Sequence, residues 1–212
     1  MDKEQYKALI SNQQLTIEKI KETACKMHDS VGQTYDKTKP YGFHLSMVAD
    51  AAIEYGHEVI DDNSDILPVI FAAYFHDSIE DARLTYNDVT KIAKLFMTGD
   101  QAFTAAEIVY ALTNEKGRTR AERAGEKYYD GIRTTPYAPM VKLCDRYANM
   151  KYSFSGKNEA NNHMREVYQK EWPHFIEAIS TQATDKRLSL PQSLKTACHT
   201  IILNFSENPL VS

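Results

Sequence analysis

Long hydrophobic runs are missing from this chain of 212 residues. No apolar stretch approaches the ~18 residues that a membrane span needs, and mean hydropathy is −0.50, so no membrane partner is expected. The opening residues, Met1-Asp2-Lys3-Glu4-Gln5, contain no apolar stretch of the kind a secretory leader carries. Cysteine is scarce. Cys25, Cys144 and Cys198 are an odd three, widely spaced, without a CxxC or CxxxC pair. That pattern points away from disulfide scaffolds and thiolate-rich zinc sites, and three reduced thiols fit a cytoplasmic chain. Eight glycines and seven prolines are too few for a low-complexity or collagen-like chain. Positive charge is short as well: 25 Lys and Arg against 29 Asp and Glu leave −4, which argues against nucleic-acid binding through a broad basic face. An anionic small molecule stays admissible if a metal or a local basic patch neutralises it.

What is present is helical periodicity. Leu9, Ile10, Leu15, Ile17, Ile20 and Met27 recur at helix-like spacing. From Asp29 to Pro40 the pattern lapses into Asp, Ser, Gly, Thr and Pro, which predicts a loop. His44–Tyr55 reads as a helix and Gly56–Asp65 as turns. Ile66–Glu80 is the most apolar stretch; its length and lack of alternation predict a buried helix rather than a strand. Thr85-Tyr86-Asn87-Asp88 and Thr119-Arg120-Ala121-Glu122 resemble capping boxes. Gly99-Asp100 precedes a helix to about Leu112; Pro136 and Pro139 precede another over Met140–Tyr152. A further helical region starts near Asn158, with Pro173 expected to kink or divide it, and Pro191 opens the last helix. The expectation is a single all-α domain over 1–212, of about eight to ten helices.

The residues that could carry chemistry begin with His76-Asp77, at the end of the apolar run. A dipeptide is weak evidence, and His28-Asp29 is a second copy. That copy sits beside Ser30 and Gly32 and reads as a polar helix terminus. His76 admits two readings: a hydrogen-bonded core histidine, or a ligand. If the helix continues, Glu80 lies one turn beyond His76 and Asp81 one turn beyond Asp77, on one face. Carboxylates crowded around one imidazole repel unless a cation sits among them; the other reading is a solvated helix end. His44 and Asp145 are further candidate ligands, Asp145 being equally readable as an ion-pair partner of Lys142 or Arg146. Two nitrogens and two carboxylates suit Mn²⁺ or Fe²⁺ better than Ca²⁺.

The order His44, His76-Asp77, Asp145 resembles the H…HD…D pattern of the HD-domain phosphohydrolases. Three blocks, Lys39-Pro40-Tyr41-Gly42-Phe43-His44, His76-Asp77-Ser78-Ile79-Glu80-Asp81 and Val141–Met150, narrow the resemblance. They are similar to the hydrolase domain of RelA/SpoT alarmone enzymes and to stand-alone small alarmone hydrolases. The resemblance covers about residues 20–155 and leaves 156–212 as a C-terminal helical extension, either a cap or a homodimer surface. It implies an all-α fold and one divalent ion on His44, His76, Asp77 and Asp145. Mn²⁺ is the first choice, with Fe²⁺ or Mg²⁺ as the others. It implies Glu80 and Asp81 as catalytic carboxylates and Asn149 as a nucleoside contact. The implied reaction removes the 3′-pyrophosphate of guanosine tetra- or pentaphosphate (ppGpp or pppGpp), without a synthetase domain.

The chain departs from that pattern at the guanine-stacking arginine and its lysine neighbour, where Tyr35 and Asp36 stand, followed by Lys37. Leu45 replaces the usual proline, and Glu54–Asp65 reads as an insertion. Tyr35 is therefore expected to stack on a base, with Lys37, Lys142, Arg146 and Arg123 as phosphate contacts; Lys151, Arg118 and Arg120 join the same basic group. His57, His163, His174 and His199 are expected on the surface or in packing. Two other functions fit: phosphatase action on another nucleotide (a nucleoside 5′-monophosphate or NADPH), and a non-catalytic nucleotide sensor.

Overall fold

The computed structural model describes residues 1–115, 118–156 and 159–207. Its helices are α1 (Lys3–Asn12), α2 (Gln14–Ser30), α3 (Gly42–Tyr55), α4 (Ile66–Phe75), α5 (Tyr86–Ala93), α6 (Gly99–Leu112), α7 (Arg120–Arg123), α8 (Glu126–Thr134), α9 (Ala138–Ser155), α10 (Glu159–Ala178) and α11 (Gln192–Glu207). The chain is all-α, with α7 a single turn. The one sheet among the described residues is a hairpin of two-residue strands, β1 (Thr34–Tyr35) and β2 (Lys39–Pro40). It falls inside the segment expected as a loop, because two residues per strand leave no alternation to read.

All ten residues of α4 are buried, and α4 packs against α2, α3, α6 and α9. A helix apolar all round can only be a central one. Helix starts follow local chemistry. Thr85 accepts from the Asp88 N–H at 3.2 Å while Asp88 accepts from the Thr85 N–H at 3.0 Å, the expected capping box. At α7 the box is half formed: Thr119 accepts from the Glu122 N–H at 3.2 Å, and the Glu122 carboxylate takes the Arg118 N–H at 2.7 Å. α10 runs through Pro173 undivided. The expected start of that helix, Asn158, lies outside the described residues, as does the side chain of Arg120.

One boundary shift changes the chemistry. α4 stops at Phe75, and His76–Asp81 is a series of turns. Ser78 N–H donates to Phe75 O at 2.9 Å, Asp81 N–H to Asp77 O at 2.8 Å, and Leu84 N–H to Ser78 O at 3.1 Å. Glu80 and His76 therefore do not share a helix face, and the predicted stacking of three carboxylates on one imidazole does not form.

The C-terminal extension is part of the globule. α10 packs on α8 and α9, and α11 on α3 and α9.

Candidate metal centre

Three helices converge on one point. His44 sits in the first turn of α3, its N–H bonded to Tyr41 O at 2.9 Å. His76 and Asp77 leave the end of α4, and Asp145 lies midway along α9. His44 Nε2 and His76 Nε2 are 3.2 Å apart. Asp145 Oδ1 is 3.3 Å from His44 Nε2 and 3.7 Å from His76 Nε2. Asp77 Oδ2 is 2.9 Å and 3.7 Å from the same two atoms, in the reverse order. Both imidazoles are buried.

The donor set itself tests whether a cation fits. His76 Nδ1 lies 2.9 Å from Ala73 O, which places a ring proton on Nδ1 and turns Nε2 inward. His44 Nε2, His76 Nε2 and Asp145 Oδ1 lie close enough to one another to share an ion, and Asp77 Oδ2 adjoins both imidazoles. Such a cluster of acceptors repels itself unless a positive charge stands among them. Two nitrogens and two oxygens without thiolate match a borderline-to-hard divalent ion.

Without a metal, a proton does that work. Burial pushes His76 toward its neutral form, but Asp77 and Asp145 outweigh burial and raise its pKa to about 9. Burial also opposes the Asp145 carboxylate, yet Lys142 and the two imidazoles hold its pKa well below the usual range. At neutral pH a cation binding here would have to displace the His76 proton. Titration with Mn²⁺ at pH 7, in buffers of different ionisation enthalpy, should show release of about one proton per ion bound. Affinity should climb as pH rises toward 9; binding that ignores pH between 7 and 9 would contradict this protonation.

The ligands are held in turn. Tyr41 donates its hydroxyl to Asp77 Oδ2. Lys142 Nζ lies 3.0 Å from Asp145 Oδ2, so the ion pair read as one alternative for Asp145 coexists with its place in the cluster. Asn149 Nδ2 donates to Asp145 Oδ1 at 2.6 Å and to its carbonyl at 3.1 Å. Asn149, expected to touch the nucleoside, thus spends its amide on Asp145 while also lining the cleft.

His28 was missed. It is not a polar terminus but fully buried, its ring stacked on Tyr41 at 4.5 Å and 17°. Neither ring nitrogen has a hydrogen-bond partner among the described residues. Burial lowers its pKa to about 4 against the pull of Asp77, which keeps it neutral.

The cluster opens onto a cleft of about 780 Å³, within the range of small-molecule sites. Asp77, Asp81 and Asp145 form its acidic wall. Burial and the charge of Asp77 raise the pKa of Asp81. Glu80 is turned away. Its carboxylate accepts from the backbone N–H of Asn114 and, at 2.9 Å, from Asn114 Nδ2, and it is Asn114 that reaches the cleft.

Of the residues expected to bind substrate, Tyr35, Lys142, Arg146, Asn149 and Arg123 line the cleft. Lys37 is exposed on the hairpin turn and is not among the described lining residues. Arg118 is also absent from that wall, and Lys151 lines a different, smaller cavity between α3 and α9. Arg146 is committed elsewhere. It is only 7% exposed, pairs with Glu171 at 2.9 Å, and lies over Phe175 at 4.1 Å and Tyr168 at 4.8 Å. Tyr35 is likewise occupied, its ring stacked on His44 at 5.0 Å and 6°. The far wall was missed: Tyr168, Glu171, His174 and Phe175 recur at three- and four-residue spacing on α10, a stripe the sequence displays. His174 meets Tyr129 edge-on at 6.1 Å.

No family model matches the chain, and none of the curated proteins does. Its fold matches a solved structure described as a metazoan ortholog of SpoT that hydrolyzes ppGpp and plays a role in starvation responses. The two are 18% identical, the match covers 92% of this chain and 97% of that one, and the TM-score is 0.58. At this identity the likeness is one of architecture: the chain shares the all-α fold of that structure.

Proposed function

We propose that the protein is a metal-dependent phosphohydrolase whose substrate is guanosine tetra- or pentaphosphate, from which it removes the 3′-pyrophosphate. The observation that carries this reading is the convergence of His44, His76, Asp77 and Asp145 at the wall of that cleft. The structural neighbour's ppGpp hydrolysis supports the choice of substrate. Those four residues would hold the ion, for which we propose Mn²⁺. A divalent cation supplies Lewis-acid polarisation of a phosphoryl oxygen and an acidified water.

The chain's own groups do the rest. Asp81, with its raised pKa, is a carboxyl suited to take and return a proton at the cleft wall. Glu80 acts through Asn114, fixing that amide against the substrate side. Lys142 keeps its charge although buried, because Tyr128 and Asp145 outweigh the cost of burial. Arg123 presents an exposed guanidinium at the rim.

Charge balance favours a second reading within the same chemistry. Asp77, Asp81, Asp145, Glu126 and Glu171 line the cleft against Lys142, Arg146 and Arg123. A wall this acidic suits a substrate bearing fewer phosphates, such as a nucleoside 5′-monophosphate or NADPH. The test is a panel: ppGpp, NADPH and nucleoside monophosphates, each with Mn²⁺ and after chelation. Pyrophosphate release from ppGpp, lost on chelation, is the expected result. Orthophosphate release from another nucleotide would transfer the assignment to it. Tight nucleotide binding without turnover would make the protein a sensor and overturn the enzymatic reading.

A further inference from the structure

Histidine ligands are normally oriented by a hydrogen bond from the ring nitrogen that does not face the metal. His76 has one, to Ala73 O at 2.9 Å. His44 has none: its Nδ1 is buried without a hydrogen-bond partner among the described residues. Something else must fix the plane of that ring. The Tyr35 ring lies flat on it, 5.0 Å between centroids and 6° between planes. The same tyrosine donates its hydroxyl to Asn149 Oδ1 at 3.0 Å. The Asn149 amide is then forced to point Nδ2 at Asp145, where it donates to Oδ1 at 2.6 Å. With Lys142 on Oδ2 at 3.0 Å, the Asp145 carboxylate is held at both oxygens, and Oδ1 is directed at the two imidazoles.

We propose that Tyr35 is a positioning residue of the cation site, orienting His44 by stacking and Asp145 through Asn149. The inference rests on reading His44, His76, Asp77 and Asp145 as the metal site. It replaces base stacking as the role of Tyr35. The ring is already faced by His44, edged by Tyr152 at 4.9 Å and tilted against Phe43 at 6.0 Å.

The hairpin that carries it is clamped. Tyr35 pairs with Lys39 across the strands, and the turn between them holds Asp36 at φ 50° and Lys37 at φ 60°. Two successive left-handed residues are the geometry of a tight hairpin turn. For residues other than glycine they persist only where the surroundings enforce them. Here the Asp36 carboxylate accepts from the Tyr152 hydroxyl at 2.5 Å, tying the turn to α9, the helix that carries Asp145.

The test compares the full-length wild type with Tyr35→Phe, which keeps the ring and loses the hydroxyl, and Tyr35→Leu, which loses both. Each is stripped of metal, checked for helical content, and titrated with Mn²⁺ by calorimetry. Loss of the hydroxyl should weaken Mn²⁺ binding about 10-fold and loss of the ring as well about 100-fold, the range for partners that orient metal ligands. At saturating Mn²⁺ the KM for nucleotide should stay near the wild-type value. Equal Mn²⁺ affinity in wild type and Tyr35→Phe overturns the inference alone. Unchanged affinity with a raised KM at saturating metal restores base stacking. A wild type that binds no Mn²⁺ overturns the metal site itself and this inference with it. Should Tyr35→Leu fail to fold, the phenylalanine variant still decides the matter.

Discussion

Asp77→Asn should cut nucleotide hydrolysis by about 10³-fold, the rate equivalent of the several kcal/mol a positioned metal contributes. The substitution is nearly isosteric. The Tyr41 hydroxyl, which donates to Asp77 Oδ2, can donate to the amide oxygen instead, so the turn after α4 stays tethered. What disappears is the negative charge 2.9 Å from His76 Nε2 and 3.7 Å from His44 Nε2. Against burial, that charge and Asp145 together raise the His76 pKa, so the variant's imidazole should lose its proton nearer neutrality. The expected signature is an unaltered far-UV spectrum, lost Mn²⁺ occupancy and lost turnover together. Turnover close to wild type in a folded Asp77→Asn protein would remove this carboxylate from the chemistry.

Arg146→Ala should destabilise the fold by about 3 kcal/mol, the lower end for removing one partner of a buried ion pair. The lower end applies because Glu171 retains 31% side-chain exposure. The guanidinium also packs over Phe175 and Tyr168, so truncation loses packing as well as charge. For a chain of this size the loss should lower the melting temperature by roughly 6–12 °C. Thermal unfolding of the metal-free protein is the direct measurement. A variant as stable as wild type with a sharply raised KM would return Arg146 to the substrate, as the phosphate contact its charge suggests. The substitution also loosens the link between α9 and α10, which together form much of the cleft.

The architecture was legible where the signal was periodic and long. The apolar run of α4, the Thr85 capping box and the Pro139 start of α9 all follow from local chemistry that the fold preserves. The grouping of His44, His76 and Asp145 was legible too, because their order and company resemble a known pattern. Features depending on a single hydrogen bond or a single packed ring were not. α4 ends at Phe75 with no Gly or Pro to mark it, and that early end is what turns Glu80 toward Asn114. His28 sits beside polar residues in sequence, yet the last turn of α2 buries its ring against Tyr41. Tyr35 reads as a base-stacking residue only until its hydroxyl is traced to Asn149 and its ring to His44. The α10 face was visible as a stripe, but which cleft it would close depended on how α10 packs on α8 and α9.

The most direct test is a crystal structure grown with Mn²⁺ and read by anomalous scattering at the manganese edge. One strong peak among His44 Nε2, His76 Nε2, Asp77 Oδ2 and Asp145 Oδ1 is the expected result. A peak elsewhere, or none there at saturating metal, would contradict the cation site on which the hydrolytic function stands.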